Sequence, residues 1–270
     1  MHPILFEVGG FTIYSYGVLL AAAYLIGLQF ARVRARARGL DAQRVMDLGI
    51  WIIISALIGA RLLLFLVDVR EFTSSPRPFM SIARSGGVFY GGLIAAVAVA
   101  FWYIRRYQMP VWTTTDVCAP GIALGHAIGR MGCLLAGCCF GRETSVPWAI
   151  TFHDPVAAAN VGTPLGVPLH PTQVYDGVAE LIILALLLGT ARRGRPFAGR
   201  TFWGYMLLYG GTRFVIEFYR GDPRGFVFGA ISTSQLVSLV LVPVAILMLY
   251  VLGRRPQPSP LEAARSMRAA

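Results

Sequence analysis

Apolar residues along this chain fall in long blocks, and the polar residues gather in short stretches between them. Blocks lie near 13–31, 46–67, 87–104, 112–135, 172–191, 202–219 and 232–252, the fourth and sixth being the least apolar. Each approaches the roughly 20 residues needed to cross about 30 Å of hydrocarbon. The pattern predicts an all-α polytopic membrane protein with seven transmembrane helices. It also predicts one domain over residues 1–252 and a polar, Pro-rich, mobile tail over 253–270.

The connections alternate in charge. Those after the first, third, fifth and seventh blocks carry 15 of the 24 arginines. Basic loops stay on the cytoplasmic side, which places the N-terminus in the periplasm and the C-terminus in the cytoplasm. The opposite connections are residues 68–86 and 142–171; the latter holds five prolines, His153, His170 and a strand-like "WAITF". A connection of that length is usually functional or disordered, so a small periplasmic head is expected at about 142–171. No internal repeat is visible, which argues against a transporter built from inverted halves.

Composition sharpens the picture. Only 14% of the 270 residues are charged, against roughly 25% in soluble domains, and mean hydropathy is +0.63. The net charge of +11 comes from arginine alone. Arginines at the ends of apolar runs report membrane topology, so no nucleic-acid partner is implied. The N-terminus lacks a cationic region and cleavage site before its first apolar run, so no cleaved signal peptide is expected. Four cysteines make no secreted disulfide framework, and a bridge between the adjacent Cys138 and Cys139 would be strained.

Three arginines lie inside predicted spans: Arg61, Arg130 and Arg213. Each costs roughly 2.5–3.5 kcal/mol unless it faces protein or water. At 1.5 Å per residue from the cytoplasmic ends they sit about 23, 27 and 17 Å deep, all in the outer half of the membrane. Three cations at one level suggest a shared anion, and a lipid phosphate suits the guanidinium fork. Arg61 could instead snorkel to the headgroups. Arg213 could instead form a structural pair with Glu217, one turn on; Tyr209, Arg213 and Glu217 form one polar stripe. That stripe could line a cavity or lock two helices.

The run Cys133, Cys138, Cys139 is not the Cys-x2-Cys pattern of a zinc site, so the thiols are read as small packing groups and no metal is expected. His126, one turn before Arg130, is read as a packing residue. His170 is the best placed histidine, in "HPTQVYD", which looks like a helix start with Thr172, Gln173 and Asp176 able to satisfy free amides.

The segments "GARLLL", "SGGVFYGGL", "GRMGCLLAGCCFGR", "HPTQVYD" and "YGGTRFVIEFYRGDPRG" occur in an order and spacing that resembles the bacterial prolipoprotein diacylglyceryl transferase family. The resemblance implies an inner-membrane enzyme acting without metal or cofactor, and a monomer is expected. It would move the diacylglyceryl group of phosphatidylglycerol to the lipobox cysteine of a preprolipoprotein. By position, Arg130 matches the family's lipid-binding arginine and Arg213 a second essential one, with Tyr209 and Glu217 beside it. Tyr16 and Gly141 match functional positions, and Arg61 is a further candidate for substrate binding. Tyr90 stands where many relatives have His, and Cys133 and Cys138 where the signature has Asn and Glu. The proton acceptor is therefore sought among Glu217, His170 and Tyr90.

Overall fold

The computed structural model describes residues 2–67, 88–191, 197–222, 226–227 and 231–255. The predicted connection over 68–86 and the tail from 256 onward lie outside the described residues. Helices α1 (Ser15–Ala37), α2 (Ala42–Val67), α3 (Phe89–Arg106), α4 (Val111–Ala136), α6 (Thr172–Ala191), α7 (Arg200–Glu217) and α8 (Thr233–Gly253) coincide with the predicted blocks; α5 (Pro155–Val161) is short. α1 runs past its predicted end because its Ala and Arg residues propagate a helix outside lipid as well as inside. Gly39, at φ 71°, stops it, and the Leu40 amide turns back to the Ala35 carbonyl at 3.0 Å.

Among the described residues five helices, α1, α2, α4, α6 and α8, are long and apolar enough to cross a membrane. α3 ends in Arg105 and Arg106, and α7 carries Arg213 and Glu217; these two are not apolar enough to meet that standard. Large apolar side chains stand exposed along α8 (Val237, Leu239, Val240, Ile246, Leu247) and the other long helices. Such surfaces suit lipid rather than water. The chain is a helical, multi-pass membrane protein.

Packing divides the chain into two compact units, Met1–Arg34 with Thr115–Ala270, and Ala35–Thr114. In the first, α1 meets α4 backbone to backbone. A Cβ on Gly27 would stand 2.8 Å from the Gly121 carbonyl oxygen, so only glycine permits the approach. Ala119 and Ala123 of α4, Ile183 and Leu187 of α6, and Tyr205 of α7 form its core. Asp116 of α4 accepts the Gly199 and Phe202 amides, each at 2.8 Å, and so caps α7 across the sequence. In the second unit α2 packs on α3 through Gly59 and Gly91.

Residues 137–171 form a small ordered lobe between α4 and α6. Strand β3 (Ile150–Thr151) pairs antiparallel with β4 (Pro168–Leu169), so the strand-like segment is a strand over two residues only. Asp154 caps α5 through the Val156 amide at 2.9 Å, and Phe140, Phe152 and Leu169 close a local core. Two further ribbons qualify the all-α expectation. β1 (Ile4–Val8) and β2 (Phe11–Tyr14) form a hairpin turning at Gly9 and Gly10, which both take positive φ, and β5 (Phe226–Val227) pairs with β6 (Ile231–Ser232). These strands are too short to show a periodic pattern.

Candidate active site

The segment leaving α4 is held on both sides. Gly137 (φ 82°) ends the helix and Cys139 takes φ 61°, a conformation that costs a residue with a Cβ about 1–3 kcal/mol. Its carbonyls are then out of helical register and need donors. Thr172 Oγ1 donates to the Cys139 carbonyl at 2.7 Å, and Gln173 Nε2 to that of Cys138 at 2.8 Å. The expectation that Thr172, Gln173 and Asp176 serve the free amides of their own helix is thus corrected: the first two anchor the neighbouring segment and the third holds arginines.

The other side is clamped by the end of α7. The Gly141 amide donates to the His170 carbonyl at 3.1 Å, the Arg142 amide to Tyr219 at 2.8 Å and the Gly221 amide to Phe140 at 3.1 Å. Gly141 has to be glycine, since a Cβ there would meet the His170 backbone and lie 2.8 Å from the Tyr219 carbonyl.

Arg130 lies on α4 facing α6. Its Nε is 3.2 Å from Asp176 Oδ2 and donates to His126 Nε2 at 3.1 Å. The other ring nitrogen of His126, Nδ1, lies 2.7 Å from Glu180 Oε1. Because Nε2 accepts, Nδ1 must be the donor, which assigns a neutral imidazole. Asp176 and Glu180 are 4% and 2% exposed, so these two carboxylates lie one turn apart on the buried face of α6. Both Arg130 contacts run through Nε, so the Nη1 and Nη2 fork is not used by either of them.

Arg220 completes the group. Its Nε and Nη2 grip the two carboxylate oxygens of Asp222 at 2.8 Å each, and Nη1 lies 3.7 Å from Asp176 Oδ2. Burial works most strongly against its charge, but the hydrogen bond to Asp222 and the surrounding negative groups together outweigh it and push its pKa up. Asp176 is therefore shared by two guanidiniums, one already engaged by Asp222.

The remaining candidates are distributed as follows. Arg213 pairs with Glu217 at 2.5 Å and donates to Ser234 Oγ on α8 at 3.2 Å, so this part of the stripe joins α7 to α8. Tyr209 stacks on Tyr205 and faces the His126 ring at 5.6 Å, within electrostatic reach of both Arg130 and Arg213. Tyr16 packs over Gly132, beside the thiols of Cys133, Cys138 and Cys139. His170 Nδ1 lies 3.1 Å from the Tyr175 hydroxyl, which accepts from Trp148 Nε1 at 2.7 Å. Together with Tyr219 these rings rim a cavity of about 830 Å³ between α6 and α7, whose walls are Val178, Ile182 and Val215. Arg61 and Tyr90 belong to the other unit. There Arg61 Nη1 donates to the Leu57 carbonyl at 3.1 Å, and Tyr90 is 41% exposed.

Sequence reasoning missed Glu180 and Arg220 and took His126 for a packing residue. One signal was available: an ionisable residue in a span needs a partner, and Asp176 and Glu180 share a helix face.

The family profile described as prolipoprotein diacylglyceryl transferase matches residues 3–251. A phosphatidylglycerol–prolipoprotein diacylglyceryl transferase of Clostridium tetani is 34% identical, over 91% of this chain and 96% of its own. The protein of that name from Thermus thermophilus is 33% identical over 92% and 97%, and that of Synechococcus elongatus 31% over 91% and 85%. With the arginine-bearing segment, the clamp around Gly141 and nearly the whole length matched, the chain belongs to the prolipoprotein diacylglyceryl transferase family.

Proposed function

We propose that this chain transfers the diacylglyceryl group of phosphatidylglycerol to the lipobox cysteine of preprolipoproteins, forming a thioether and releasing glycerol phosphate. The observation that carries the reading is Arg130, held through Nε by His126 and Asp176, which leaves its Nη1 and Nη2 fork to take a further anion. That anion is the lipid phosphate.

The substrate thiol attacks the glyceryl carbon attached to the phosphate oxygen. The C–S bond forms as the C–O bond breaks, and the electron pair leaves with glycerol phosphate. Charge on that group rises in the transition state. A preorganised donor in a water-poor site then contributes roughly 3–4 kcal/mol. Arg130 supplies it, and Tyr209 is a hydroxyl donor beside it. Arg213 acts from α7 as a second cation, set by Glu217 and Ser234. Gly141 keeps the clamp closed, Tyr16 borders the reacting sulfur, and Arg61 holds headgroups at the lipid interface. The cavity walled by Val178, Ile182 and Val215 suits an acyl chain, with His170 at its polar end. Glu217, His170 and Tyr90 are the groups placed as proton acceptors.

The arginine distribution supports seven spans, a periplasmic N-terminus and lobe and a cytoplasmic C-terminus in the bacterial inner membrane. The test is transfer by purified protein from phosphatidylglycerol to a lipobox peptide. A diacylglyceryl-sized mass gain, with glycerol phosphate release, is expected. It should vanish with a Cys→Ser peptide and in Arg130→Ala protein that still inserts. Undiminished transfer by Arg130→Ala would remove the arginine from the mechanism.

A further inference from the structure

Gly137 turns the chain back at the end of α4, and Cys139, at positive φ, re-aims it under Cys133. The Sγ atoms of Cys133, Cys138 and Cys139 consequently lie within 4.8 Å of one another; none is in a disulfide, and the Cys138 thiol donates to the Cys133 carbonyl at 3.8 Å. They form the only such group of ligand atoms among the described residues. Zinc–sulfur bonds of about 2.3 Å at tetrahedral angles set sulfurs about 3.8 Å apart. The set is within about 1 Å of that spacing.

Three protein ligands with a fourth position open is the donor count of a catalytic rather than a structural zinc site. Access fits that count: Cys133 is buried, while Cys138 and Cys139 are partly exposed. Charge fits as well. A divalent ion on three thiolates leaves one net negative charge, and the guanidiniums of Arg130 and Arg220 both act on Cys139, that of Arg130 on Cys133 too. The site thus adjoins the arginine proposed to hold the leaving phosphate. The reaction proposed above alkylates a thiol, and a metal-bound thiol is deprotonated outright.

We propose that Cys133, Cys138 and Cys139 hold a zinc ion whose open position takes the lipobox thiol of the substrate. The proposal rests on the transferase reading. The thiol gives its proton to water on binding. Its sulfur then forms the C–S bond as the C–O bond of phosphatidylglycerol breaks, and glycerol phosphate carries off the electron pair and picks up a proton from water. The product thioether is neutral, a weak ligand, and dissociates. Activation of this kind needs no protein base at the sulfur, consistent with Tyr rather than His at position 90.

The test uses the full chain, purified in detergent without chelators. Elemental analysis should find about one zinc per chain. Cys133→Ser, Cys138→Ser and Cys139→Ser should each lose it, while Cys118→Ser, on α4 outside the group, retains it. Co2+ exchanged into the wild-type protein should give thiolate charge-transfer and tetrahedral bands, which keeps the test open should a variant fail to fold. X-ray absorption at the zinc edge should count three sulfurs, rising to four with a lipobox peptide and not with its Cys→Ser form. Wild-type protein that transfers diacylglyceryl without zinc overturns the proposal and leaves the transferase reading intact. So does a count that stays at three with peptide bound. Zinc lost in the three variants, but no glycerol phosphate release with any lipobox peptide, keeps the metal site and overturns its substrate.

Discussion

Glu180 touches no proposed substrate atom, yet its replacement should be felt at the phosphate. It is 2% exposed and accepts from His126 Nδ1 at 2.7 Å, and His126 Nε2 in turn accepts from Arg130 Nε at 3.1 Å. In Glu180→Leu the Nδ1–H loses its acceptor inside the bundle, a cost of roughly 1–3 kcal/mol. The ring is then free to carry its proton on Nε2 instead, which would set N–H against N–H at Arg130. Arg130 would be left with Asp176 alone and its fork no longer fixed. If that energy is lost from transition-state binding, kcat/KM falls about 5- to 150-fold. Glu180→Gln retains an acceptor oxygen of the same reach and should lose less. The assay is steady-state transfer to a lipobox peptide in vesicles of varied phosphatidylglycerol content, alongside thermal unfolding. A merely structural role would lower the midpoint and leave the folded fraction with a normal KM for the lipid. Glu180→Leu protein with an unchanged midpoint and kcat/KM within about twofold of wild type would refute the relay.

Other predictions address the scaffold and the second arginine. Asp116→Ala removes both 2.8 Å hydrogen bonds onto the start of α7; it should cost about 1–3 kcal/mol in unfolding experiments while the folded fraction keeps its kcat. Gly221→Ala puts a Cβ 2.5 Å from the Gly141 carbonyl oxygen and should lower both folded yield and transfer. Gly189→Ala, with nothing within 4 Å, is the control, and equal behaviour of the two would disprove the clamp. Breaking the buried pair with Glu217→Leu alone should cost about 3–5 kcal/mol, and adding Arg213→Met should restore much of the stability. If the restored double variant also transfers normally, Arg213 is a helix lock and not a phosphate ligand.

The helices were legible because the hydrocarbon imposes one period and one length on the sequence, and α2, α4, α6 and α8 follow it closely. Arg130 and Arg213 were legible for the complementary reason: a guanidinium in an apolar block has to be held by something. What holds them was harder to read, since Asp176 and Glu180 are 46 and 54 residues from Arg130 and His126 respectively. The start of α6 also offered a local use for Asp176, as a cap, and that use was the wrong one. The cysteines show a different kind of illegibility. Cys-x4-Cys-Cys fails the usual zinc spacing because that spacing describes how far a regular turn carries the chain between two ligands. After Gly137 the turn is not regular: one glycine and one cysteine at positive φ fold the segment back, with its carbonyls held by Thr172 and Gln173. Metal spacing rules are rules about backbone conformation rather than about thiols. The set proposed here, built on a left-handed cysteine, falls outside them, although its sulfur atoms lie within 4.8 Å of one another.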